Sequence, residues 1–162
     1  MVKKWILNAS PLILLHKIDF LEKMSALSEE WLIPEAVVRE IEKKNLIDSY
    51  IKGLSLKSNV IILKRVRVDS TILAWDIGLG ESEVLSFALQ KKNTGVVLDD
   101  LQARKCAQLY NIPLKGSLGI IGWAKKEGII DTVKPHFERL IRKGIRIEER
   151  LMRDILIAFN EL

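Results

Sequence analysis

Between Gly80 and Asp100 the sequence reads GESEVLSFALQKKNTGVVLDD, one helix, one turn and one strand with acids at both ends. No other stretch narrows the fold so far. On a helical wheel stepping about 100° per residue, with Glu81 at zero, Val84, Leu85, Phe87, Ala88 and Leu89 spread around it. An acid therefore occupies the middle of the apolar face in the first helical turn, while Glu83 falls on the opposite side, toward solvent. An acid on a buried face is costly unless something compensates its charge. The strand, Gly95 to Leu98, is apolar on successive residues, as in a parallel sheet covered on both faces. It ends in Asp99-Asp100, and the C-terminal ends of strands in an open parallel sheet are where ligands bind. Glu81 and Asp99 are expected to look into one site.

The remaining chain repeats the strand–helix alternation. Trp5-Ile6-Leu7 reads as the first strand, with Asn8 at its C-terminal end. Ser10-Pro11 is a helix start, Ser as N-cap and Pro at the first helical position. Phe20 to Leu27 adds a helical turn or two. Trp31-Leu32-Ile33 is the next strand, and Pro34 opens the following helix. There Val37, Val38 and Ile41 form the core stripe, and Glu40 and Glu42 flank it at comparable angles, so the wheel does not choose between them. Lys43 to Lys57 reads as a short helix and loop, Val60 to Leu63 as a β-branched strand. Val66 to Ile77 gives no clear element. After Asp100 comes a helix carrying Cys106 and Tyr110, capped by one of the two aspartates, then a short strand at Ile112-Pro113-Leu114. Helices over Leu118–Lys126, Val133–Lys143 and Glu148–Phe159 close the chain. The alternation predicts a three-layer α/β fold, a parallel sheet with helices on both faces. The whole of 1–162 is expected to form one domain, with 131–162 as a helical tail packed on it.

Composition sets the class of partner. Lys and Arg outnumber Asp and Glu by 26 to 21, and the resulting +5 favours a polyanion. A single cysteine, Cys106, excludes an intramolecular disulfide and a cysteine-based metal framework. His16 and His136 fall on separate helices, so the sequence offers no histidine cluster for a metal. No apolar run is long enough to span a bilayer or to serve as a secretory signal, so no membrane role and a cytoplasmic location are expected. Trp5, Trp31, Trp75 and Trp123 could stack bases, but core packing is the favoured reading.

If the first and fourth strands are neighbours, Asn8 and Asp99 stand at one edge of the sheet, and Glu81 with one acid of the second helix completes a cluster. Carboxylates brought together raise one another's pKa values, which a divalent cation relieves. Oxygen ligands without Cys or a His cluster point to Mg²⁺ or Mn²⁺. Such a centre beside a basic surface suits phosphodiester hydrolysis.

Several stretches carry a resemblance: Asn8-Ala-Ser-Pro-Leu-Ile, Ile33-Pro-Glu-Ala-Val-Val-Arg-Glu40, Leu79-Gly-Glu-Ser-Glu83, Val97-Leu-Asp-Asp100 and Gly116-Ser-Leu-Gly119, followed by Ala124 to Gly128 and the helical tail. In this order the chain resembles the PIN-domain nucleases, particularly the single-domain prokaryotic branch related to VapC-type toxin ribonucleases. The resemblance implies a Mg²⁺- or Mn²⁺-dependent ribonuclease, often a homodimer. If the protein is toxin-like, it also implies an antitoxin protein encoded elsewhere. It places the family's acids on Asn8, Glu40, Glu81 and Asp99, with Asp100 as helper, choosing Glu40 over Glu42; Ser10 matches a small hydroxyl residue of the pattern. Glu40, Glu81 and Asp99 would be catalytic, and Asn8 and Asp100 would join them around the metal. Arg104, Lys105, Arg139, Arg142, Lys143 and Arg146 are candidates for holding phosphates. The departure is Asn8, where the family usually has Asp. Asn keeps a carbonyl oxygen for a metal but loses a charge, so weaker metal binding is expected. Either Asp99-Asp100 makes up the charge, or the protein binds RNA without cutting it well. A third reading, in which the acids merely cap helices, explains each acid singly but not their joint placement.

Overall fold

The computed structural model describes residues 1–44, 48–55, 57 and 59–162. Short runs rich in β-branched and aromatic residues form the strands β1 (Lys4–Leu7), β2 (Glu30–Pro34), β3 (Val60–Leu63), β4 (Thr94–Val97) and β5 (Leu114–Lys115). They pair in parallel in the order β3-β2-β1-β4-β5. Parallel strands need a crossover between each pair. The helices supply it: α1 (Ala9–Lys17), α2 (Leu21–Ser25), α3 (Glu35–Lys43), α4 (Asp48–Ser55), α5 (Ser70–Leu73), α6 (Leu79–Gln90) and α7 (Leu101–Leu109), while α8 (Ser117–Lys126) follows the last strand. The hairpin of α9 (Lys134–Arg142) and α10 (Glu149–Ala158) follows. This is the three-layer α/β fold expected from the alternation. Of the expected helix and loop between Lys43 and Lys57, α4 is observed, and residues 45–47 and 56 lie outside the described residues.

Two helix starts differ from expectation. The first helix begins at Ala9 with Asn8 as the N-cap residue, so Ser10 and Pro11 lie inside the first turn. Proline is tolerated there because the first four N–H groups have no partner within the helix. Pro34 is the last residue of β2 and caps α3. The unclear segment before α6 holds the short α5, whose cap Asp69 accepts from the Thr71 amide at 2.8 Å.

Register explains the packing of one sheet face. Trp5 pairs with Trp31 on one side and with Gly95 on the other. A Cβ at Gly95 would lie 2.5 Å from the Trp5 ring, so glycine lets the indole lie flat across β4. Trp123 of α8 completes a cluster, 5.7 Å from Trp5 and 6.1 Å from Trp31 between ring centroids. Trp5 and Trp31 are buried, as the core reading expects, whereas Trp75 and Trp123 are half-buried. Across the sheet α6 packs on β1, β2 and β4. The terminal hairpin joins the same core through Phe137, Leu140 and Leu156. Among the described residues no helix is long and apolar enough to cross a membrane.

Candidate functional site

Every strand is parallel, so all C-terminal ends lie along one edge. At its centre β1 delivers Asn8 and β4 delivers Asp99; the Asn8 amide donates to the Val97 carbonyl at 3.2 Å, continuing the β1–β4 ladder. Asn8 is 3% exposed, and its Oδ1 is buried without a hydrogen-bond partner. Glu40 lies on the same side: a Cβ at Gly80 would sit 2.8 Å from Asn8 Oδ1, 3.2 Å from Glu40 Oε2 and 3.4 Å from Val37 Cγ2. Only a residue without a side chain leaves these two oxygens a shared space. Both are acceptors, and an orphaned buried acceptor carries a desolvation cost.

Glu40 and Glu81 line one cleft of about 220 Å³. One wall is the face of α3 carrying Ala36, Arg39, Glu40 and Lys43, and the other is the start of α6 from Gly78 to Glu81. Glu40 and Glu81 are half-buried, whereas Glu42 is exposed. The cations Arg39 and Lys43 were not singled out in the sequence. They lie at −1 and +3 from Glu40, and the heptad spacing of this face was the available signal.

Asp99 occupies a second cleft of about 470 Å³ on the β5 side. Its Oδ1 accepts from the Ser117 amide at 2.8 Å and its Oδ2 from the Ser117 hydroxyl at 2.5 Å. Asp100 is exposed, and its carboxylate caps α7 by accepting from the Ala103 amide at 3.0 Å. Each aspartate thus holds a helix start, as the capping reading expects of them singly. Among the described residues no three acidic, histidine or cysteine side chains stand close enough to hold one ion. The structure brings Asn8 to Glu40, and Glu40 to the cleft of Glu81; it leaves Asp99 turned to Ser117 and Asp100 turned to α7. Of the proposed phosphate-holding residues, Arg104 lines the second cleft and Arg139 pairs with Asp19 at 3.4 Å. Lys105, Arg142, Lys143 and Arg146 are exposed and line neither cleft.

Glu83 is a correction. It is not on a solvent face but 9% exposed, with Oε2 lacking a partner. The wheel assumed one buried face, whereas α6 packs against α3, α5 and α7 as well as the sheet. Burial pushes the Glu83 carboxyl up; Arg39 opposes this and Glu35 adds to it. The native state therefore keeps this proton to higher pH than the unfolded chain, and stability falls as pH rises from the ordinary carboxyl value through the raised one. Glu83→Gln is expected to be more stable than the parent at neutral pH by roughly 1 kcal/mol, the scale of one unsatisfied buried polar group. The difference should vanish at acid pH, as read by urea denaturation across the pH range.

Two acceptor oxygens facing a glycine-made space, with no donor between them, fit a hard cation bound through oxygen. A family model described as a PIN domain matches residues 4–161. A search of curated proteins finds no match to the chain.

Proposed function

Since the chain belongs to the PIN-domain family, a nuclease fold whose members generally use divalent metal ions, we propose that it is a Mg²⁺- or Mn²⁺-dependent ribonuclease. The observation that carries this reading is the buried, unpartnered Asn8 Oδ1 beside Glu40 across Gly80. Asn8, Glu40 and Glu81 would form the metal's nearest surroundings, and Asp99 and Asp100, which stand apart from them in the second cleft and on α7, would have to be drawn in when the ion binds. When bound, a divalent ion supplies a nucleophilic water at neutral pH and neutralises phosphate charge.

The chain's own residues do the rest. Glu40 and Glu81 present carboxylates from the two walls of one cleft. Asp99 can serve without releasing Ser117, because each carboxylate oxygen has a second lone pair. Ser117 fixes that carboxylate at the end of β4, and such fixed orientation of a ligand typically strengthens a metal site by ~10–100-fold. Arg39 and Lys43 on one side and Arg104 on the other supply cations for the flanking phosphates. A homodimer and an antitoxin partner are extensions that rest on the family resemblance, and a cytoplasmic site of action is one that rests on the lack of a signal-like or membrane-spanning run.

The test is cleavage of a single-stranded RNA with Mn²⁺, with EDTA, and with Glu81→Ala. Cleavage should need the metal and fall by about 100-fold or more in the variant, the scale on which losing an essential acid–base or electrostatic group acts. Cleavage that survives EDTA would sink the proposal. RNA binding that persists in EDTA, with no cleavage under any divalent ion, would favour a binding protein that the neutral Asn8 has deprived of activity.

A further inference from the structure

The second cleft is larger than an ion requires. Its volume of about 470 Å³ lies in the ~300–1,000 Å³ range of small-ligand pockets, whereas the α3–α6 cleft falls below it. Its two sides differ in chemistry. At the floor, Arg104 Nη1 donates to the Leu98 carbonyl at 2.9 Å, which aims a half-buried guanidinium beside Asp99. Gly116 makes this approach possible: a Cβ there would lie 2.6 Å from Arg104 Nη1 and 3.1 Å from Asp99 Oδ1. Arg104 keeps most of its five donors for a ligand, and a guanidinium matches phosphate geometry. The Asp99 carboxylate beside it has both oxygens engaged by Ser117, which offsets part of its repulsion of an anion.

The other side is apolar. Leu118 comes from the first turn of α8, and Leu151 and Ile155 lie one turn apart on α10. Leu151 is 46% exposed, whereas Leu156 on the same helix is buried in the core. A cation beside an apolar wall complements a molecule with an anionic end and a flat apolar body. In an RNA strand that molecule is a nucleotide whose base is not paired, since a base in a duplex cannot be laid against a wall.

We propose that the cleft between α8 and α10 seats one unpaired nucleotide, its phosphate on Arg104 and its base on Leu118, Leu151 and Ile155. As a role in cleavage this rests on the ribonuclease reading: the seated nucleotide would lie next to the phosphate at Asp99. The C-terminal helix then becomes a determinant of which base is accepted, and duplex RNA is excluded.

The test is amide NMR of the full chain in EDTA, titrated with each of the four nucleoside 5′-monophosphates, with the nucleosides and with inorganic phosphate. Nucleotides should move the Gly116, Ser117, Leu118, Leu151 and Ile155 amides at millimolar concentration. Leu151→Asp, at a position that is 46% exposed, should weaken binding by about tenfold or more, as expected when a leucine contact with the ligand is lost. Arg104→Gln should remove the advantage of a nucleotide over its nucleoside. The proposal falls if these amides stay still, if inorganic phosphate alone binds as well, if Leu151→Asp changes nothing, or if the amides move with protein concentration alone, which marks a self-association face. Cleavage of RNA by a protein with a silent cleft would sink this proposal and leave the ribonuclease standing. Nucleotide binding without any cleavage would do the reverse.

Discussion

Asn8→Asp should bind Mn²⁺ on the order of tenfold more tightly than the parent and cut RNA faster, because a carboxylate replaces a neutral amide in direct contact with a divalent charge. The gain is smaller than bare attraction suggests, since the new charge is buried and stands near Glu40 across Gly80. Without metal that proximity is unfavourable, and the variant should be less stable than the parent by about 1–3 kcal/mol. Asparagine avoids the cost, because it puts a neutral oxygen and not a second negative charge beside Glu40. The two effects have opposite signs in one experiment. Thermal unfolding of Asn8→Asp should start below the parent in EDTA, then rise more steeply as Mn²⁺ is added, because ligand that binds only the folded state stabilises it. Curves that stay parallel through the metal titration would show that residue 8 touches no ion.

The second large effect concerns the last turn of the chain. Glu161 is nearly buried, with its side chain 8% exposed, and pairs with Lys125 of α8 at 2.6 Å. It also accepts from the amides of Val133 at 2.9 Å and Lys134 at 3.0 Å, where α9 begins. Lys125 in turn donates to the Phe159 carbonyl at 2.8 Å. Glu161→Ala removes one acceptor from three donors. Losing one partner of a buried pair costs up to ~3–5 kcal/mol. Lys125 keeps the carbonyl and some water, so about 2–3 kcal/mol is expected, a fall in Tm of roughly 5–10 °C for a domain of this size. Burial alone would raise the Glu161 carboxyl, but the Lys125 bond and the two amides outweigh it and hold it below the ordinary value of 4.5. Its stabilisation is therefore complete above the ordinary value and is lost as pH falls through the depressed folded one. Parent and variant should differ most at neutral pH and converge in acid. A constant gap down to low pH would mean that the side chain acts by packing and not by charge.

The layers of the fold were legible because they depend on periodicity. The apolar run before Asp99 announced a doubly covered strand, and the structure puts β4 next to β1 near the centre of the sheet. Helix starts were less so: Ser10-Pro11 is a strong local signal, yet the helix begins at Ala9, because the chain must turn as soon as it leaves the sheet edge. Glu83 shows where a wheel fails. A helix enclosed on several sides buries residues from most of its circumference, and one polar position among them carries no mark in the sequence. At the site, Asn8 and Asp99 could be placed at one edge from their positions after two strands. Where a carboxylate turns could not be read, since the partner that draws Asp99 aside, Ser117, is 18 residues away. Arg39 and Lys43 do not stand out in the sequence, because basic residues on a helix margin read as ordinary solvated charges. The amphipathic wall of α10 was invisible for the same reason that its helix was easy to find: every surface helix alternates faces, and only docking shows which apolar residues stay uncovered.

The indoles of Trp5, Trp31 and Trp123 are near enough to share their excited states. Optically they form one chromophore. Two of its members lie on adjacent strands and the third on α8, whose first residue, Ser117, holds Asp99. The near-ultraviolet dichroism of this trio therefore reports whether α8 is seated on the sheet. A substitution in either cleft that dims that signal has moved the helix, and one that spares it has changed chemistry alone.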